Sequence, residues 1–147
     1  MTSGMRYWAL IALGLGCAPA AASNLALGDS LAIGVGGALG VPTIAGVSWS
    51  SCRIAQDTPR GHYDRVVISA GVNDVPGRCV AAIRAKINAG LVVWIRPING
   101  AGPTVDRVAA AHGDVVITYA LGRDHIHPRS YGEVAAAVRR AWGRRGL

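Results

Sequence analysis

Three runs in this chain, VVIS (66–69), LVVWI (91–95) and DVVITY (114–119), are apolar without the polar alternation of a strand that has one face in water. Strands written this way are buried on both faces, which calls for a parallel sheet covered by helices on each side. The stretches between them carry small residues at helical spacing. The pattern predicts strands at Asn24–Leu27, Val41–Gly46, Arg65–Ser69, Leu91–Ile95 and Val115–Thr118. Helices are predicted at Ser30–Leu39, Val80–Asn88, Thr104–His112 and Tyr131–Trp142, with a loop or short helix at Trp49–Ala55. Strand–helix alternation of this kind predicts an α/β fold around a parallel sheet.

At 147 residues the chain has room for one domain with a modest core. Its formal charge of +7 is carried by arginine, with Lys86 the single lysine. Apart from Arg139-Arg140 and Arg144-Arg145 the arginines are scattered, and phenylalanine is absent, so the basic cluster with aromatic platforms that nucleic-acid binding calls for is missing. Attraction to acidic cell-surface polymers stays open. Met1 to Arg6 with one positive charge, the apolar run Tyr7 to Gly16, and the small residues Ala18-Pro19-Ala20-Ala21-Ala22 predict a signal peptide over 1–22. Cleavage after Ala22 or Ala20 would release an exported domain, 23–147, to the periplasm or the extracellular space. A retained N-terminal anchor is the competing reading. Lipidation at Cys17 fits poorly, because Gly14 stands where a branched apolar residue is usual. Cys52 and Cys79 then remain, either as a disulfide or as two free thiols.

In a parallel sheet, function gathers where the loops leave the carboxyl ends of the strands. Ser30 follows the first strand, Gly46 the second and Asn73 the third, while Asp124 and His127 precede the last helix. A serine hydroxyl becomes a useful nucleophile when an imidazole takes its proton, and the imidazole needs a carboxylate to fix its tautomer. Asp124 and His127, three apart, can supply that pair. The backbone N–H groups of Ser30 and Gly46 and the Asn73 carboxamide could then stabilise an oxyanion. His62, His112 and His125 have no spacing that suggests a metal site. Asp29 is expected to shape the turn that exposes Ser30.

Four blocks, LGDSLAIG, AGVSWS, YDRVVISAGVND and DHIHPRSYGEVAAAV, stand in the order of the SGNH (GDSL) hydrolase family, which the chain resembles over most of its length beyond residue 22. The resemblance implies a three-layer α/β/α sandwich with a five-stranded parallel sheet of flavodoxin-like order. It implies Ser30 as nucleophile, His127 as base oriented by Asp124, an oxyanion hole of Ser30, Gly46 and Asn73, and neither metal nor organic cofactor. Two departures bear on substrate. The short segment between Asn73 and Lys86 leaves little to wall a pocket, which predicts a shallow, open site, and Trp49 stands where glycine is more usual. The expected activity is an exported, monomeric carboxylic ester hydrolase for short-chain acyl or O-acetyl esters on small molecules or carbohydrates. Its rate should decline on acidification as His127 gains a proton. The alternatives are a lysophospholipase or thioesterase of the same family, and a catalytically idle glycan-binding module on the same fold. A flavin protein shares the strand order, but Gly28-Asp29-Ser30 makes a poorer phosphate cradle.

Overall fold

A computed structural model describes residues 23–144, so the segment read as a signal peptide lies outside the described residues. The alternating elements are β1 (Asn24–Gly28), α1 (Ser30–Leu39), β2 (Thr43–Ala45), α2 (Ser51–Asp57), β3 (Gly61–Ser69), α3 (Val80–Lys86), β4 (Ile87–Ile95), α4 (Gly102–His112), β5 (Val115–Ile117) and α5 (Tyr131–Gly143). The five strands form one sheet in the order β2-β1-β3-β4-β5, and every neighbouring pair is parallel. This is the doubly wound order that places a switch point between β1 and β3.

The unbroken apolar runs serve two cores. On one face Leu25, Leu27, Val66, Ile68, Val92 and Trp94 meet Ile54 of α2, Val80 and Ile83 of α3, and Val105 of α4. On the other, Ala26, Val67, Leu91, Val93 and Ile95 meet Leu31 and Val35 of α1 and Val134, Val138 and Trp142 of α5. Alternate residues of one strand therefore point into opposite cores, which is why no polar alternation survives in the sequence. Trp94 keeps its indole N–H satisfied by donating to Asp114 at 2.9 Å, and the same carboxylate receives the Arg84 guanidinium at 2.7 Å.

The helix starts are chemically marked. Asp29, Ser50 and Ser130 each accept a backbone N–H of the first turn of α1, α2 and α5 respectively. The α1 segment ends at Gly40, whose left-handed φ of 69° lets its N–H fold back onto Gly36 and Gly37.

Boundaries differ from the sequence pattern in several elements, most where β3 and β4 start early, at Gly61 and Ile87 in place of Arg65 and Leu91. The third helix was expected to run to Asn88, but it stops at Lys86, and Ile87 enters β4 directly. The cause is a distant partner: Gly61, His62 and Tyr63 extend β3 at its start and pair with Ile87, Asn88 and Ala89. Strand β2 is shorter than expected, three residues in place of Val41–Gly46.

Candidate active site

The corner at the end of β1 is tightly built. Gly28 has φ of 146°, and a Cβ there would run into the carbonyl oxygen of Ser69 on β3, so only glycine fits. Asp29 follows, fully buried, and its Oδ1 accepts from the Leu31 N–H at 3.0 Å and the Ser69 hydroxyl at 2.8 Å. Its Oδ2 has no hydrogen-bond partner among the described residues. Burial pushes this carboxyl up to about 6, against the opposing pull of its hydrogen bonds from Ser69 and Leu31. Ser30 is thereby held as the first residue of α1, its N–H among those that a helix N-terminus leaves without an intrahelical partner.

The partner loop lies between β5 and α5. An isolated antiparallel bridge joins Leu121 to Pro128, and the Gly122 N–H donates to the His127 carbonyl at 2.8 Å, closing the intervening residues into a small lasso. Within it His125 adopts a left-handed φ of 57°, and Tyr119 donates its hydroxyl to the Ile126 carbonyl at 3.0 Å. This turn aims Asp124 back at its own loop. Oδ1 accepts the backbone N–H groups of Ile126 at 3.0 Å and His127 at 2.9 Å, while Oδ2 lies 2.6 Å from His127 Nδ1. Hydrogen bonds from the His127 ring and these two amides hold Asp124 down to about 2. An ionised carboxylate can only accept, so Nδ1 carries the proton and Nε2 presents its lone pair. That lone pair faces the Ser30 hydroxyl at 3.2 Å.

Ser30, His127 and Asp124 are thus brought into one hydrogen-bonded line from segments 97 residues apart. The side chains of His127 and Asp124 are 39% and 52% exposed, so among the described residues the line lies open to solvent.

The expected oxyanion donors fare differently. The Gly46 N–H was expected to face the site, but it continues the parallel ladder by donating to the Gly28 carbonyl at 3.1 Å and is committed there. What glycine does at this position is make room: a Cβ would enter the indole of Trp49. Asn73 sits on the loop after β3 and spends one amide N–H on the Trp49 carbonyl at 3.0 Å. A carboxamide nitrogen carries two hydrogens, which leaves a second N–H beside the one used.

Sequence reasoning passed over the braces behind these loops. Asp74 accepts from the Ser51 N–H at 2.6 Å and the Ser51 hydroxyl at 2.5 Å, and that hydroxyl in turn accepts the Cys79 N–H at 3.1 Å. Cys52 and Cys79, left open between bridge and free thiols, are joined by a disulfide. Asn99 braces the same loop from the β4 side, donating to the Val72 carbonyl at 2.9 Å. No local pattern signals Asp74, because its partner Ser51 lies 23 residues away. Among the described residues no cluster of three or more His, Cys, Asp or Glu side chains is placed to hold a metal ion, and no helix is long and apolar enough to cross a membrane.

No protein-family model, no curated protein and no solved structure matches this chain.

Proposed function

We propose that this chain is a carboxylic ester hydrolase of the SGNH type, acting through an acyl-enzyme on Ser30. The observation that carries the reading is the line from the Ser30 hydroxyl through His127 to Asp124, with the imidazole in the tautomer that leaves Nε2 free to accept. In this reading the Ser30 oxygen attacks the ester carbonyl as its proton passes to Nε2, and the Asp124 carboxylate stabilises the resulting imidazolium. The oxyanion is met by the Ser30 N–H at the positive end of α1 and by the second Asn73 N–H. Nε2 returns its proton to the departing alcohol, leaving an acyl-serine. Water, giving a proton to Nε2, then attacks the acyl carbon; the bond from that carbon to the Ser30 oxygen breaks, the serine oxygen takes the proton back from Nε2, and the acid leaves.

The open site supports short acyl or O-acetyl esters, since the exposed His127–Asp124 pair leaves little among the described residues to enclose a long chain. A disulfide between Cys52 and Cys79 supports an oxidising, extracytoplasmic setting.

A fluorophosphonate probe tests the reading, because it labels only an activated serine. Wild-type protein should be labelled, and Ser30→Ala should abolish labelling and lower p-nitrophenyl acetate hydrolysis by at least about 10³-fold. Folded wild-type protein that takes no label would remove the hydrolase reading in favour of an idle binding module.

A further inference from the structure

The lasso that carries His127 is tied firmly at its neck. Leu121 bridges Pro128, the Gly122 N–H donates to the His127 carbonyl, and the Arg129 N–H donates to the Ala120 carbonyl at 2.8 Å. Pro128 is buried, but Arg123, Asp124, His125 and Ile126 at the tip all stand exposed. The bonds from Asp124 to Ile126 and His127 stay inside the lasso, so they shape the tip without holding it to the rest of the molecule. Among the described residues two side chains reach the lasso from outside by hydrogen bonds. One is Ser30, whose hydroxyl faces His127 Nε2 at 3.2 Å; the other is Tyr119, whose hydroxyl donates to the Ile126 carbonyl, one residue before His127, at 3.0 Å.

These two ties have different lifetimes in a reaction. Once the Ser30 oxygen is acylated it has no proton to share with Nε2, yet His127 must stay in place to take a proton from the attacking water. The Tyr119 hydroxyl has no part in that exchange. Burial first, then its neighbours Asp29, Tyr131 and Asp124, pushes this phenol up to about 12, so it remains a donor at neutral pH. Its ring packs against the core shared by α1 and α5. It also borders a cavity of about 160 Å³ between the segment 118–120 and Ser130, Glu133, Ala137 and Arg140. A ring with open space beside it is not fixed by packing alone, so the hydroxyl bond decides where Tyr119 holds the lasso.

We propose that Tyr119 is a positioning residue for deacylation: through the Ile126 carbonyl it keeps His127 in register after the serine–histidine hydrogen bond is lost. The proposal rests on the hydrolase reading and concerns the half of the reaction that the Ser30 tie cannot serve. Tyr119→Phe removes one oxygen and leaves the ring. Acylation, in which Ser30 still supplies its own tie, should stay within about twofold of wild type. Deacylation should slow about tenfold, the size of effect expected for one lost hydrogen bond.

Rapid-quench mass spectrometry with p-nitrophenyl acetate reads both steps, as the rate at which acetyl-Ser30 forms and the rate at which it decays once substrate is exhausted. Slower decay with near-normal formation, and a KM that falls along with kcat, supports the proposal. Equal slowing of both steps, slowing of formation alone, or slowing of neither overturns it. A second measurement needs no chemistry. In Ser30→Ala the serine tie is already gone, and the Ile126 and His127 amides should stay protected from hydrogen exchange; in Ser30→Ala/Tyr119→Phe they should exchange about tenfold faster. Equal exchange in these two variants overturns the tether. Fluorophosphonate labelling of wild type without the exchange difference would end the positioning proposal alone, and the exchange difference without labelling the hydrolase reading.

Discussion

Two carboxyl groups flank Ser30 in opposite electrical surroundings, and they should answer differently to pH. Asp29, shut away from water, sits at about 6, above its ordinary 3.8. The folded state therefore binds more protons than the unfolded chain between those values, so this group's contribution to stability is fully present below about 4 and is lost as pH rises through about 6. The size of that loss is on the order of 3 kcal/mol. Asp29→Asn keeps an oxygen for Leu31 and Ser69 but has no charge to bury. Melting temperatures from pH 4 to pH 7 should fall in the wild type and stay flatter in the variant; parallel curves would show that Asp29 titrates normally. Asp124 has the opposite sign: held at about 2, it stabilises above its ordinary 3.8 and its contribution is lost as pH falls through about 2, outside the Asp29 window. In Asp124→Asn the ring loses the partner that puts its proton on Nδ1. Ester hydrolysis should fall about 10³- to 10⁴-fold with the fold retained, read as kcat beside a circular dichroism melt.

At the scale of elements, the Asn73 side of the candidate site is a pair of loops tied together three ways: the Cys52–Cys79 bridge, the Asp74–Ser51 hydrogen bonds and the Asn73–Trp49 contact. The double variant Cys52→Ala/Cys79→Ala should lose roughly 3 to 4 kcal/mol in urea unfolding, from the loop of 27 residues that the bridge closes. If the proposed reaction holds, its kcat should suffer more than its KM, because Asn73 is then held less firmly toward the oxyanion of that reaction; an unchanged kcat would mean that the hydrogen bonds alone position the loops. The strands were legible because burial on both faces writes itself into consecutive residues such as 91–95. Ser30, Asp124 and His127 were legible because each sits where a strand or loop meets a helix start. The strand start at Ile87 was not, since it depends on Gly61–Tyr63, which no local pattern reveals. Nor was the commitment of the Gly46 N–H, which is decided by ladder register with Gly28 rather than by residue type.

Across the whole molecule, the two cores share the sheet and cannot be released independently. Trp94 reports one and Trp142 the other, so tryptophan fluorescence and far-ultraviolet circular dichroism should trace one coincident transition in urea; separated midpoints would show that α1 and α5 detach first. The sheet closes on strands of three residues at both flanks, β2 and β5. Such stubs give a neighbouring chain little free backbone to zip onto. Crowded copies can therefore jostle side by side without knitting into fibres.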